Sequence, residues 1–263
     1  MNSNKRSGIL SIIALSTLVL VIAVSVLRTN APSAKTIESD FWLIYHDDAD
    51  RTQRTEAVLR LIDANNSVWA GANLSGVTLS GKQLKLVDLH DADLSESLLV
   101  GTNLNGATLR STIFDASDLQ DAQLSGANMN EASMVRCNLK NARLELTSFF
   151  QASLEQITAT KADFSGADLS ESHCMMADFT DAVLIDARFD YANLEATIFQ
   201  GADLTNVSFQ GALMLDTDFS NSNWWRTVGM EPAILEDLKD RFAPDADAPQ
   251  ALRDDYQQWL SEE

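Results

Sequence analysis

One periodicity constrains this chain more than any other feature. Every fifth residue from Leu74 to Trp224 is large and apolar, in the order Leu74, Leu79, Leu84, Leu89, Leu94 and onward through Phe199, Leu204, Phe209, Met214 and Phe219. Ala159 is the one small exception, and no insertion breaks the phase. Two residues before each large position lies a small one, most often Ala, with Ser, Thr or Val as substitutes. Cys137 and Ile157 are single variants, and Lys82 is the one charged departure. An α-helix cannot use this pattern, because successive leucines would step about 140° around its axis and cover every side. A hairpin sheet fails too, since an odd period swaps faces at each repeat. A solenoid resolves both problems, because the small and large residues, two apart, point inward together. The residue between them points out and is typically Asp, Asn, Ser or Thr, as at Asn73, Asp88, Asp118 and Asp203. The remaining two turn a corner, and the second is often Gly or Asn, as at Gly76, Gly126, Asn141 and Gly201. Those residues tolerate the positive φ that a type II turn requires.

Runs such as Ala72-Asn73-Leu74-Ser75-Gly76, Ala122-Gln123-Leu124-Ser125-Gly126 and Ala167-Asp168-Leu169-Ser170-Glu171 resemble the pentapeptide repeat family. That resemblance implies an all-β fold, a right-handed quadrilateral β-helix with four units per turn. Here it would carry short helical caps and an N-terminal transmembrane helix. With four units per turn, residues 20 apart stack. Phe179, Phe199 and Phe219 then form one interior column, and Phe189 and Phe209 stack on the opposite wall.

The flanks divide the chain into an anchor (1–28), a linker with a helical cap (29–69), the repeat body (70–226) and a second helical cap (227–263). Ser7 to Leu27 carries no charge and lies between Lys5-Arg6 and Arg28. Its length suits a bilayer span and exceeds the apolar core of a cleaved signal peptide, about 7–15 residues. The bias of Lys and Arg toward the N-terminus places that end in the cytoplasm. The expectation is a single-pass protein of the bacterial inner membrane, with the repeats on the periplasmic or extracellular side. Asp50 to Asn65 reads as a helix with Asp50 and Gln53 forming a capping box. Phe41-Trp42-Leu43-Ile44-Tyr45 is an apolar patch that joins this cap or sits at the lipid interface. After the repeats, Pro232 suits a helix start and Ile234, Leu235, Leu238 and Phe242 make a stripe. Ala243 to Pro249 is a break, and a last helix carries Leu252, Tyr256, Trp259 and Leu260. The resemblance implies that such C-terminal segments cap the coil or pair two coils.

Lys and Arg total 19 against 38 Asp and Glu, a formal charge of −19. Such a surface repels nucleic-acid phosphates, so nucleic acid is not an expected partner. The glycines sit at corner phase and form no phosphate loop. His46, His90 and His173 lack metal-ligand spacing, and Cys137 and Cys174 fall at core phases. No catalytic residue, cofactor or metal is expected, and the chain reads as no enzyme. One wall adds outward apolar residues to its Asp and Ser: Ile113, Val135, Met175, Met176, Leu213 and Leu215. These are candidate protein contacts. Trp225 and Trp259 at the C-terminal end are a competing surface for self-association. The functional expectation is a membrane-tethered scaffold or interaction module of the bacterial envelope. The alternative is a DNA-mimicking rod, since the family resemblance extends to members that bind topoisomerases. N-terminal sequencing of the purified protein should find Ser7 to Leu27 retained; a mature terminus near Ala34 would mean cleavage.

Overall fold

A computed structural model describes residues 33–46 and 49–262. The candidate membrane segment, Ser7 to Leu27, lies outside the described residues. Among the described residues no helix is long and apolar enough to cross a membrane. Two compact units divide at Val68 and Trp69.

The first unit is a pair of helices, α1 (Ala34–Tyr45) and α2 (Arg51–Asp63). In α2 the capping box forms as its sequence predicts: the Asp50 carboxylate accepts from Gln53 N–H, and the Gln53 side chain accepts from Asp50 N–H. The apolar run at Phe41–Tyr45 is helical, the last five residues of α1. Ile37 and Ile44 of α1 are buried, as are Ala57, Val58 and Leu61 of α2. Asp40, also buried, is matched by the Arg60 guanidinium at 2.7–3.1 Å. The two-pronged geometry suits a planar fork facing a carboxylate.

The second unit is a coil. Isolated parallel bridges link each outward residue to the one 20 positions on, from Asn73↔Asp93 to Ser208↔Val228. Four five-residue units therefore make one circuit. The pairing positions are single residues separated by corners, so the expected β-pairing is present as isolated parallel bridges, and no strand of several residues occurs among the described residues. Each second corner residue has φ near +55° to +70°, whether glycine or not. Leu86, Leu146 and Tyr191 hold that conformation as L-residues.

The unit from Ala92 to Glu96 shows why the pattern repeats. Ala92 N–H donates across the corner to Leu89 C=O, and Asp93 N–H donates back to Ala72 C=O. Leu94 and Glu96 N–H donate forward to Ile113 and Asp115 C=O. Only Ser95 N–H, at the first corner position, has no backbone acceptor; it donates to the Asp93 side chain at 2.8 Å. The same bond recurs at Asn73, Asp118, Asp163, Asp168, Asp178 and Asp203. At Ser125, Val135 and Phe150 the acceptor comes from the preceding coil, as Asp115 does for Val135 N–H. Buried hydroxyls at the small position are satisfied likewise: Thr102, Thr147 and Thr197 donate to Leu79, Leu124 and Cys174 C=O at 2.8–2.9 Å.

The interior is filled by the large phase. Phe179, Phe199 and Phe219 stack at 5.3 and 5.4 Å, and Phe189 and Phe209 stack at 5.6 Å. Edge-on contacts of 5.6–5.9 Å tie the two columns together. Trp69, one step before the first leucine of the run, already occupies this buried phase. Lys82 is exposed, in keeping with its polar head. At the far end a short 3-10 turn (Trp224–Arg226) leads to α3 (Pro232–Phe242) and α4 (Gln250–Glu262). Leu238 is buried, and the Phe242 ring meets Phe219 at 6.2 Å.

Phe199→Ala removes both stacking partners at once and should cost about 3–5 kcal/mol. Asp203, solvent-facing by its phase, also accepts from Thr205 N–H and Asn223 Nδ2. Asp203→Ala should therefore cost about 0.5–2 kcal/mol, as for a lost helix cap, and Asp203→Asn less. Burial pushes the Asp203 carboxyl up, but the Thr205 and Asn223 hydrogen bonds outweigh it and hold it below the usual range. Stability from a lowered carboxylate is present above its unfolded pKa and lost as pH falls through the folded one. Denaturation midpoints across pH should rank the three variants in this order, with the acid limb shallower in Asp203→Asn.

Candidate interaction surface

The six wall residues of the sequence reading do share one side of the coil. Ile113 and Leu213 belong to one column, through Ser133, Ser153, His173 and Asn193. They stand five coils apart, roughly 24 Å at the usual strand spacing. Val135, Met175 and Leu215 occupy the adjoining corner column, with Glu155 and Glu195 between them by the same 20-residue register. Met176 is half exposed beside Met175. The apolar residues are thus interleaved with acids and serines along the wall. Leu213 and Leu215 come together on the last coil, flanking Met214, and each is 64% exposed; Met175 and Met176 adjoin two coils earlier.

Trp225 and Trp259 lie inside the molecule's own C-terminal cluster. Trp225 is buried against Tyr256 at 4.8 Å, and Trp259 packs on Trp224 at 5.7 Å and on Tyr256 at 5.7 Å. The Lys239 ammonium lies 5.0 Å from the Trp259 ring centre. Asp255 anchors α4: it accepts from Trp225 Nε1 at 2.7 Å and from the Arg226 guanidinium. The Arg226 hydrogen bond holds the Asp255 carboxyl below the usual range against its partial burial.

Sequence phase did not single out Leu86 and Leu146, among the most exposed large apolar side chains, at 75% and 74%. Each lies over a corner glycine of the next coil: a Cβ on Gly106 or Gly166 would stand 2.8 Å from the leucine Cδ2. The signal was available, since a leucine at corner phase with glycine 20 residues later is a paired exception. On an adjacent corner Asp190 is buried. Burial pushes it up, yet Ser208 and Arg188 hold it below its ordinary value. These carboxylates are structural hydrogen-bond acceptors.

Cys137 and Cys174 are buried free thiols; burial pushes Cys174 up to about 12 and Cys137 higher still. Neither is a thiolate near neutral pH. Among the described residues no group of His, Cys, Asp or Glu could hold a metal ion.

The family model for pentapeptide repeats matches in overlapping segments that run from residue 88 to 226, more than half of the chain. The chain belongs to the pentapeptide repeat family. No curated protein matches it. Among solved structures, a trypsin-treated form of QnrB1, a plasmid-mediated fluoroquinolone resistance protein, aligns with TM-score 0.55 and 16% identity over 59% of this chain and 77% of its own. HetL, involved in heterocyst differentiation regulation in the cyanobacterium Nostoc sp. strain PCC 7120, aligns at 23% identity and TM-score 0.37, covering 64% of this chain and 95% of HetL. A pentapeptide repeat protein of the Arabidopsis thaliana thylakoid lumen aligns at 28% identity and TM-score 0.29, over 52% of this chain and 88% of its own. The likeness to QnrB1 shows the shared coiled fold.

The C-terminal cluster of this pentapeptide repeat protein should come apart when its anchor is removed. Asp255→Ala is expected to cost about 1.5–3 kcal/mol, the range for hydrogen bonds to a charged group. Tryptophan emission should shift to the red as Trp225 and Trp259 gain water. Because Asp255 is lowered in the folded state, the wild-type cluster should persist as pH falls until that folded pKa is reached.

Proposed function

We propose that this protein is a non-enzymatic scaffold or interaction module, tethered to a bacterial membrane through Ser7 to Leu27. Its repeat body, coiled right-handed as the family resemblance implies, is displayed on the periplasmic or extracellular side. The observation that carries the reading is the closed interior. Buried Leu and Phe columns fill the coil, and carboxylates of the kind acid–base chemistry uses are taken up by its own corners. What remains is a set of stiff walls, a form suited to holding a partner or a second copy and not to enclosing a substrate. The tether is supported by the length of the uncharged segment and by the basic residues before it.

A second reading has its own support in the charge. An acidic rod related in fold to a fluoroquinolone resistance protein suits a DNA-mimicking role, engaging a topoisomerase or other basic protein. That role needs the repeats in the cytoplasm. A reporter fused after Glu263 separates the two: periplasmic alkaline phosphatase should be active and a cytoplasmic fluorescent reporter dark. The reverse result would favour the DNA-mimicking reading.

A further inference from the structure

The repeat stops at a place where its backbone accounting is left open. In the interior, Leu194 and Ala196 N–H donate to Leu213 and Leu215 C=O, and Leu213 N–H donates to Ala192 C=O. One coil later the equivalent groups are Met214 N–H, Asp216 N–H and Ala212 C=O. None of them has a hydrogen-bond partner among the described residues. Leu215 N–H, at the first corner position, also lacks one, as do the corner amides that follow Leu98, Ile113, Val183 and Ile198 inside the coil. Burial departs from the repeat in the same five residues. Ala212 and Met214, at phases buried in the preceding coils of this wall, are only half-buried here, and Leu213 and Leu215 are exposed.

Beside this edge is a cavity of about 390 Å³. Its floor is Met214, Leu215 and Phe219, and its roof is Ala233, Ile234 and Leu238 of α3. By the 20-residue register, this is where the next coil would have lain. Glu195, Asp216 and Asp237 lie on or next to the opening, and the one cation in its lining, Arg241, is already paired with Asp237 at 3.0 Å.

We propose that the edge from Ala212 to Asp216 is a docking site for an extended peptide segment of a partner protein, apolar at alternate positions and flanked by Lys or Arg. The inference rests on the interaction-module reading and gives it a location. The peptide pairs in parallel with the open edge, taking N–H bonds from Met214 and Asp216 and returning one to Ala212 C=O. Backbone pairing of this kind supplies affinity, and alternate side chains supply specificity. One apolar side chain enters the cavity against Met214 and Ile234, and the next lies over Leu213 and Leu215. Basic flanks meet the acidic rim, whereas acidic flanks are repelled.

The test uses the full-length protein in detergent and a displayed library of random seven-residue peptides. Enriched peptides should carry alternating apolar residues with Lys or Arg beside them. Their affinity should fall at least tenfold with Ala233→Trp, which fills the cavity, and with Leu215→Asp. Leu146→Asp, at a still more exposed leucine on a distant corner, should leave it unchanged. Exchange of the Met214 and Asp216 amides, followed by NMR, should slow at least tenfold on peptide binding. The proposal is overturned if no peptide is enriched, if neither substitution at the site weakens binding, or if those amides stay unprotected. Self-association lost on Ala233→Trp without peptide binding would reassign the edge to a second copy. Crosslinking in native membranes separates this site from the wider reading: a partner still captured by the Ala233→Trp protein leaves the interaction module standing and removes the edge from it.

Discussion

The structure depends on one N–H per unit. In a typical interior repeat four of the five amides find carbonyls across the corner or in neighbouring coils, as Ala92, Asp93, Leu94 and Glu96 do. The fifth, at the first corner position, has no carbonyl within reach. Left unpaired away from water, such an amide costs about 1–3 kcal/mol, and only some corners, such as those after Leu98, Ile113, Val183 and Ile198, go without a protein acceptor among the described residues. An Asp or Asn two residues earlier removes the cost, because its short side chain folds back over the corner. The apolar phase therefore selects the interior, and the Asx phase makes the corners tolerable.

This local requirement also recasts the charge. Asp93, Asp118, Asp163, Asp168, Asp178, Asp203 and Asp218 all accept from their own corners. Asn does the same work at Asn73, Asn103 and Asn138, so the bond needs an acceptor and not a charge. Much of the acidity thus lies in groups whose first role is internal, and a partner would meet carboxylates already oriented by the backbone. Pre-oriented acceptors lose little freedom on binding, which favours rigid complementarity over adaptable contact.

The interior of the coil was legible because each of its positions answers to one requirement. Inward phases need bulk, corners need positive φ, and the residue between needs an acceptor. The circuit of four units came from the family resemblance, since a period of five alone does not fix how many units close a turn. α2, α3 and α4 showed helical stripes and caps. α1 did not, because Phe41-Trp42-Leu43-Ile44-Tyr45 is continuously apolar and its helical register shows only once Asp40 meets Arg60 across the pair. The wall of candidate contacts was read by counting apolar residues. Placing those residues on the 20-residue register interleaves them with Glu155 and Glu195. Leu86 and Leu146 escaped notice for the opposite reason: their significance lies in Gly106 and Gly166, one coil away.

A repeat satisfies itself wherever it continues, so its walls carry few unmet demands. Demands accumulate where it ends. At the C-terminal end some are met by substitutes. Asn223 supplies a side-chain oxygen to Leu204 N–H, Arg226 and Val228 supply carbonyls to Asn206 and Phe209, and Asp255 ties α4 to Trp225 and Arg226. These closures cover two sides of the final circuit. The other two sides receive no backbone pairing: Phe219 and Asn221 N–H have no acceptor among the described residues although the Phe242 ring covers Phe219, and α3 passes over Ala212 to Asp216 with a cavity between. Leu98, Ile113, Val183 and Ile198 also stand in place of Asp or Asn, but each has a following coil to pair with, which Leu213 does not. Loss of the acceptor, loss of the next coil and exposure of two leucines coincide in five residues. That coincidence makes this end, more than the long acidic walls, the place where the fold's chemistry is left for another molecule to complete.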